Sequence, residues 1–488
     1  MSAAHEKSDA AVEEKQVALG YNVLSQVSHA EGVGRDYELK CNLINRCFQE
    51  EIGFGRYQWQ LFVITGLGWL ADNLWLQGLA IVLPQVQQEL NPVRVEYAVL
   101  AEFAGLIVGA TTWGIMADLI GRRLSFNITL FLAGLFGLAA GGASNFVTFC
   151  SLIACMGFGV GGKCWTLTLL SVWWALGQLV ASLISWGFIA NFSCNPSIPS
   201  GQCAKSANMG WRYTFGALTI LMFICRFFVF DVQESSKFLV AQGRDEEAIK
   251  VLGHIAKRNG RTITLKLEDL QAISGDTTSK PVPNLSTNVR NAFSGMSLSH
   301  IRPLFSSRRL TINTSLIIVI WGLIGIAYPL FNAYLPLYLS AEGSASGSSS
   351  VSETYRNYSI VSVLGVPGSL IACATVDYTR GTGRWHIGGR KLVLAVSTML
   401  TGLFLFLFTT SKTTAAVLGY SCASGLTQCM YGVLYAYAPL IKIATTPLNG
   451  SVSANTANGP VFVSAALFMV AAVLTVLLPI ETAGKMAL

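Results

Sequence analysis

Gly114-Ile-Met-Ala-Asp118-Leu-Ile-Gly121-Arg122-Arg123 joins two apolar runs, residues 96–117 and 124–143. Each run is long enough to cross a hydrocarbon layer as a helix. The joint holds glycines, one acid and a basic pair, the composition of a tight loop at a membrane face. A related pattern recurs far down the chain. Ala374-Thr-Val-Asp377-Tyr-Thr-Arg380, then Gly388-Gly389-Arg390-Lys391, follows the apolar run 355–376. In both places an Asp closes a span, and Gly and a basic pair follow. The chain therefore reads as two related halves.

Working outward, further spans are expected at 59–84, 145–162, 165–192, 211–230, 311–339, 391–410, 415–441 and 459–479, eleven in all. Their charge is low. Of 488 residues 52% are hydrophobic and 12% charged, about half the usual charged share. Residues 1–58 and 231–310 hold most of the charges. So little charge elsewhere cannot cover a water-facing surface. This excludes a soluble enzyme, a disordered chain and a disulfide-framework miniprotein, and leaves an all-α membrane protein that spans the lipid bilayer many times.

The net charge of +7 does not indicate nucleic acid, because the basic residues sit in short loops between apolar runs. Their position reports topology. With the N-terminus in the cytosol, the cytosolic loops receive Arg122, Arg123, Lys163, twelve Lys/Arg of 231–310, Arg380, Arg384, Arg390, Lys391 and Lys442. The outer side receives Arg94, Lys205, Arg212, Arg356 and Lys412. The expected organisation is a cytosolic tail (1–58), a six-helix bundle (59–230), a cytosolic loop with short helices (231–310) and a bundle of about five helices (311–488). In the loop, Gly243 is expected to stop one helix and Asp245 to cap the next. No signal peptide is expected ahead of the first span, because the first 50 residues are polar and mixed in charge. Cys194 and Cys203 share an outer polar loop and are expected to form a disulfide. No CxxC pair, P-loop, HExxH or nucleophile elbow occurs. No metal, cofactor or catalytic residue is expected, and the protein does not read as an enzyme.

The GxxxDxxGRR loop and the two-half layout resemble the major facilitator superfamily of secondary transporters. The resemblance extends to Gly53-Phe-Gly-Arg-Tyr-Gln-Trp-Gln60, Ala71-Asp72-Asn73-Leu-Trp75, Leu170-Ser-Val-Trp173-Trp174, Trp321-Gly-Leu-Ile-Gly325-Ile-Ala-Tyr328-Pro329 and Met430-Tyr431-Gly-Val-Leu-Tyr435. These look like the fungal relatives of synaptic-vesicle-glycoprotein-like transporters, near the sugar porters. Glu234-Ser-Ser-Lys237-Phe238-Leu239 resembles the sugar porters' PESPRxL element without its Pro. The resemblance implies a two-bundle helical carrier working by alternating access. It also implies twelve spans. Here Lys163-Cys164 alone stands where the second half of a fourth span would continue, and a polar stretch, Thr445 to Asn458, replaces an eleventh.

Asp72 lies about midway along the first span. A carboxylate at the bilayer centre costs roughly 2.5–3.5 kcal/mol on insertion scales and usually faces a cavity. Burial favours the neutral form of a carboxyl group and water the charged one, the requirement for coupling to protons. The bland reading is an Asp bonded between helices for packing. Glu102, in the second span, is a second proton candidate, or an acid that snorkels to the interface. Gly114, Asp118, Gly121, Arg122 and Arg123 correspond to the family's gating loop, the alternative being topogenic charge alone. Asp377, Arg380 and Arg390 form a degenerate copy. Trp321, Tyr328 and Asn332 share one helix face, as do Gln428, Tyr431 and Tyr435, and with Asn73 they are candidates to line a solute site. Helix packing is the competing account of such stripes. The expected partners are a small organic solute (sugar-like, an organic acid or a specialised metabolite) and protons. The expected location is the plasma membrane, with a vacuolar or vesicle membrane as the variant. A non-transporting sensor or an inactive truncated transporter is the second class of function. A channel is the third.

Overall fold

The computed structural model describes residues 35–161, 171–194, 198–229, 233–274, 305, 307–345, 350–375, 379–380, 387–410, 413–430 and 459–479. A helix stands at each of the eleven expected spans. The N-terminal bundle contains α2 (Arg56–Leu90), α3 (Tyr97–Ile120), α4 (Arg122–Gly141), α5 (Phe146–Val160), α6 (Ser171–Ile189) and α7 (Gly210–Val229). It is preceded by α1 (Arg35–Arg46) and a π-helical turn, Cys47–Ile52. Three short helices follow it: α8 (Ser236–Ala241), α9 (Asp245–Arg258) and α10 (Leu267–Ser274). The second bundle contains α11 (Arg308–Asn332), α12 (Leu335–Ala345), α13 (Val351–Thr375), α14 (Gly389–Thr410), α15 (Thr414–Met430) and α16 (Gly459–Val476).

Several boundaries differ from the sequence reading. The first span is a helix of 35 residues, about 52 Å long against a hydrocarbon layer of about 30 Å. The helix is therefore longer than the lipid tails require. The seventh span is two helices, interrupted at Ala333 and Tyr334 just after Pro329. Pro336, second residue of α12, has no amide to donate to the Asn332 carbonyl, which removes a bond across the break. The insertion after the eighth span forms a two-strand ribbon, β1 (Thr379–Arg380) with β2 (Ile387–Gly388), antiparallel.

The apolar core runs through both bundles, from Ile64 to Leu478. Inside the first bundle, glycines set the closest contact. A Cβ on Gly105 would sit 1.9 Å from the Ala154 carbonyl, and one on Gly157 would sit 2.3 Å from that of Glu102. Glycines on α3 and α5 thus let the two backbones meet, which replaces the hydrophobic drive that lipid does not supply.

A second, separate core joins parts of the chain about two hundred residues apart. Ile44, Cys47, Ile52 and Tyr57 bury against Leu239, Val240, Leu252, Ile255 and Leu270. Lys40 pairs with Asp245. Asp245 is thus the first residue of α9 and the partner of a lysine, with Arg244 at the cap position; it does not cap the helix as expected. Gly243 does stand after α8, at φ +74°. Asn259 ties this small domain to α2: its Oδ1 accepts from the Tyr57 amide at 3.0 Å, and its Nδ2 donates to Gln58 Oε1 at 2.8 Å.

Glu51 makes the remaining link, accepting from the Thr264 amide at 2.7 Å and from its hydroxyl. Burial pushes this carboxyl upward, but the Thr264 bonds, the Cys47 thiol and Arg46 outweigh it and hold it below the ordinary 4.5. A lowered folded value gives stability that is complete above the ordinary range and is lost as pH falls through the folded value. Acidification below about pH 4 should therefore loosen residues 35–52. Hydrogen exchange on the whole protein checks this, and Glu51→Gln should blunt the response.

At the far end of α2 the charges are buried and paired. Arg212 donates to both oxygens of Glu89, at 2.7 and 2.8 Å, and both side chains are 6% exposed. Trp211 and Asn208 donate to the same carboxylate, and Arg212 also reaches the Ala143 carbonyl. Arg212 is therefore a structural cation as well as a marker of sidedness. Removing one partner of a buried pair strands the other charge, at about 3–5 kcal/mol. Arg212→Ala should lower the melting temperature of the detergent-purified protein strongly, and Glu89→Ala comparably.

Candidate functional site

The site grows from the middle of α2. Asp72 is 8% exposed, and Asn73 and Gln77, one and five residues on, are buried. Residues four apart share a helix face, so Asn73 and Gln77 stack. Asn73 Nδ2 donates to the Trp174 carbonyl of α6 at 2.6 Å, and Gln77 Nε2 donates to Asn73 Oδ1 at 3.3 Å. Gln77 then crosses to the second bundle. Its amide donates to the Tyr328 hydroxyl of α11 at 3.1 Å and accepts from the Tyr358 hydroxyl of α13 at 2.6 Å. Asn332 reaches back to the Tyr328 carbonyl at 3.5 Å. Trp69 and Trp174 meet edge to face at 5.7 Å beside Asp72.

The structure therefore links Asn73 to Tyr328 across the two bundles through Gln77; Asp72 precedes Asn73 on α2, and Asn332 lies one turn beyond Tyr328 on α11. Trp321 lies two turns back on α11 and is buried. Gln77 and Tyr358 belong to the same constellation and were not singled out from sequence. Their signal was present: Gln77 is an amide in an apolar run, four residues after Asn73. Tyr431, Tyr435 and Asp377 lie outside the described residues. Gln428 and Arg380 fall in described backbone, but their side chains lie outside it.

Glu102 does not snorkel. It is 2% exposed, and among the described residues its Oε1 has no hydrogen-bond partner. The seam of glycines holds α5 against its backbone, so the side chain is enclosed and has no route to the interface.

The gating loop is organised by Glu234. Its carboxylate accepts from the amides of Arg122 at 3.3 Å and Arg123 at 3.2 Å, at the start of α4. An acid at a helix N-terminus satisfies orphan donors and the local dipole. Gly121 makes this possible: its φ is +95°, and a Cβ there would stand 2.6 Å from Glu234 Oε2. Gly114 is different: among the described residues nothing lies within 4 Å of a Cβ built on it. The Asp118 side chain lies outside the described residues. In the second bundle, Arg390 opens α14, and Lys391 Nζ reaches the Leu478 carbonyl at 2.7 Å. Cys194 and Cys203 are joined in a disulfide with Cα atoms 6.2 Å apart.

With this geometry in hand, the comparisons with known proteins are specific. The Major Facilitator Superfamily model matches residues 61–479. The chain belongs to the major facilitator superfamily. It is a multi-pass membrane protein and a secondary transporter of a small solute. An uncharacterized MFS-type transporter of Schizosaccharomyces pombe is 40% identical over 508 aligned residues, covering 92% of this chain and 90% of that protein. The MFS siderochrome iron transporter 1 of Ceriporiopsis subvermispora is 41% identical over 93% of this chain and 92% of its own length. A synaptic vesicle 2-related protein of Rattus norvegicus is 29% identical over 44% of this chain and 40% of its own. Among solved structures, the xylose transporter XylE of E. coli in a partially occluded inward-open form gives a TM-score of 0.61 at 17% identity. It covers 87% of this chain and 100% of that one; that likeness is one of fold.

The Glu234–Gly121 contact leaves no room for a methyl group. Gly121→Ala combines a disfavoured φ with a clash, at about 1–3 kcal/mol. It should lower the melting temperature and slow solute flux in vesicles, whereas Gly114→Ala, with open space around it, should melt as the parent does.

Proposed function

We propose that this transporter is coupled to protons and moves a small organic solute through a midplane site bounded by Asp72, Asn73, Tyr328 and Asn332. The observation that carries this reading is Asp72 itself. It is a carboxyl group at the middle of a 35-residue span, next in sequence to the side chains that bridge the bundles. An acid so placed meets water only when one side of the carrier opens, so its protonation follows the transport cycle. Glu102, enclosed and with one oxygen unbonded, is the second candidate. Aromatic rings and neutral hydrogen-bonding tips suit a ring-bearing or hydroxylated solute. A sugar-like compound, an organic acid and a specialised metabolite all fit that description. The name of the siderochrome iron transporter relative keeps the last among them. XylE is described as a proton:xylose symporter, which agrees with proton coupling on this fold. The gating roles proposed for Gly121, Arg122 and Arg123, with Arg380 and Arg390 as a second set, place both basic loops on one face, assigned to the cytosol along with the N-terminus. Asp72→Asn should abolish accumulation driven by a pH gradient in proteoliposomes while leaving the fold intact; retained proton-driven accumulation would remove Asp72 from the mechanism.

A second reading is favoured by a specific observation. Only 28% of the most apolar stretch of α3 is buried, the smallest share among the seven longest spans, against 89% for α2. The 508 positions aligned with the fission-yeast relative also exceed this chain's own 488 residues, so that relative carries internal residues that this chain lacks. Both features fit a shortened transporter-like protein that binds without completing the cycle. Sequencing transcripts across codons 160–168 and 436–444 separates the readings. A longer message encoding additional span residues would make the longer product the carrier.

A further inference from the structure

Among the described residues, five of the hydrogen bonds that join the bundles can be ordered by their position along α2. Tyr358 and Tyr328 bond to Gln77 at 2.6 and 3.1 Å, and the Tyr355 hydroxyl donates to the Ile81 carbonyl at 2.9 Å. Trp186 Nε1 donates to Ser352 Oγ at 3.0 Å, and Ser369 Oγ donates to the Ser171 carbonyl at 3.2 Å. The first four lie between the level of Asp72 and the end of α2 that carries Glu89. The fifth alone lies toward the end that carries Arg122. The halves are therefore pinned together on the Glu89 side in this conformation.

Gln77 differs from the other members of the set. Ser171 and Ile81 contribute backbone carbonyls, and Trp186 and Ser352 make one bond each. The Gln77 carboxamide engages three partners at once, on α2, α11 and α13. Gln77 is 2% exposed and Tyr358 1% exposed, and Gln178 of α6 also hydrogen-bonds the Tyr358 hydroxyl. In such a site an unmade hydrogen bond costs more than a made one gains. The bundles cannot part on the Glu89 side until water or solute supplies both a donor and an acceptor to replace those of Gln77.

We propose that Gln77 is the positioning residue of the gate on the Glu89 side: its carboxamide, held by Tyr328 and Tyr358, keeps that side closed. The proposal deepens the alternating-access reading above and rests on it. It also states a requirement on the solute, which must present a hydrogen-bond donor and an acceptor together to release the gate.

The test needs no knowledge of the solute. Ser352 bonds Trp186 and is half-buried in this closed arrangement. In the full-length Ser352→Cys protein in detergent, a hydrophilic maleimide should label slowly. Labelling is read relative to Val93→Cys, a position that is 100% exposed, after subtracting labelling of the native cysteines. Adding Tyr358→Phe, which removes one hydroxyl and keeps the ring, should raise the rate about tenfold, and Gln77→Ala at least as much. Because the two act through one bond, the double variant should label no faster than Gln77→Ala alone. Gln77→Glu adds a discriminating readout. Protonated, it keeps a donor and an acceptor; ionised, it loses the donor, so its relative labelling should rise with pH while that of the Gln77 protein stays flat. Unchanged labelling in Tyr358→Phe and Gln77→Ala, in protein that elutes and melts as the parent does, overturns the gate. So does a strictly multiplicative double variant. The outcome is distinct from that of Asp72→Asn, which reads proton-driven accumulation: a failed gate with proton coupling intact leaves the transport reading standing.

Discussion

Hydrocarbon offers no hydrogen bonds, so every polar group that α2 carries into it must be satisfied inside the protein. This one helix carries Asp72, Asn73, Gln77, Gln85 and Glu89 in buried positions. The architecture follows from where their partners are found. Asn73 finds α6, Gln77 finds α11 and α13, and Glu89 finds α7. An apolar helix in lipid has no preferred neighbour beyond shape. A helix with amides at two heights and a carboxylate at its end has several, each at a fixed depth. The polar groups thus order the packing of α2, and Gln77 also joins it to the second bundle.

The two sets of polar contacts differ in what breaking them would cost. The Glu89–Arg212 pair is bidentate, enclosed and supported by Trp211 and Asn208, all within the first bundle. It is suited to staying closed throughout a cycle. The contacts of Gln77, Tyr355 and Trp186 join one bundle to the other through neutral groups. Neutral bonds are roughly half as strong as charge-assisted ones, and water can replace them one for one. Strong ionic bonds within a bundle and weak neutral bonds between bundles let each bundle move as a body.

Hydropathy and the placement of Lys and Arg made the spans and the two-half layout legible, because lipid imposes length and charge limits that any membrane chain must obey. Asp72 was legible for the same reason: an acid in an apolar run stands out. Gln77 and Tyr358 were not, since an amide or a phenol is tolerated in a span without comment, and only tertiary contact reveals what it holds. Arg212 was visible but underread, because a basic residue beside an outer loop already has a sufficient account as topology. The joining of residues 35–57 to 236–270 was beyond the sequence, since neither piece is apolar enough to announce a core alone. The open space beside Gly114 was equally hidden, because a glycine states that a helix can approach, and its neighbours decide whether one does.

That small domain bears on the cycle through its attachments. Asn259 binds Tyr57 and Gln58 at the start of α2, and Glu234 caps α4. Both belong to the first bundle, and α2 is the helix that carries Asp72 and Gln77. A rotation of the first bundle therefore carries the domain with it. Asn259 packs against the Gly55 backbone, where a Cβ would stand 2.5 Å from its side chain, so the contact needs glycine at that position. The long α2 thus carries the attachment of the small domain at its start and Asp72 at its middle on one continuous helix.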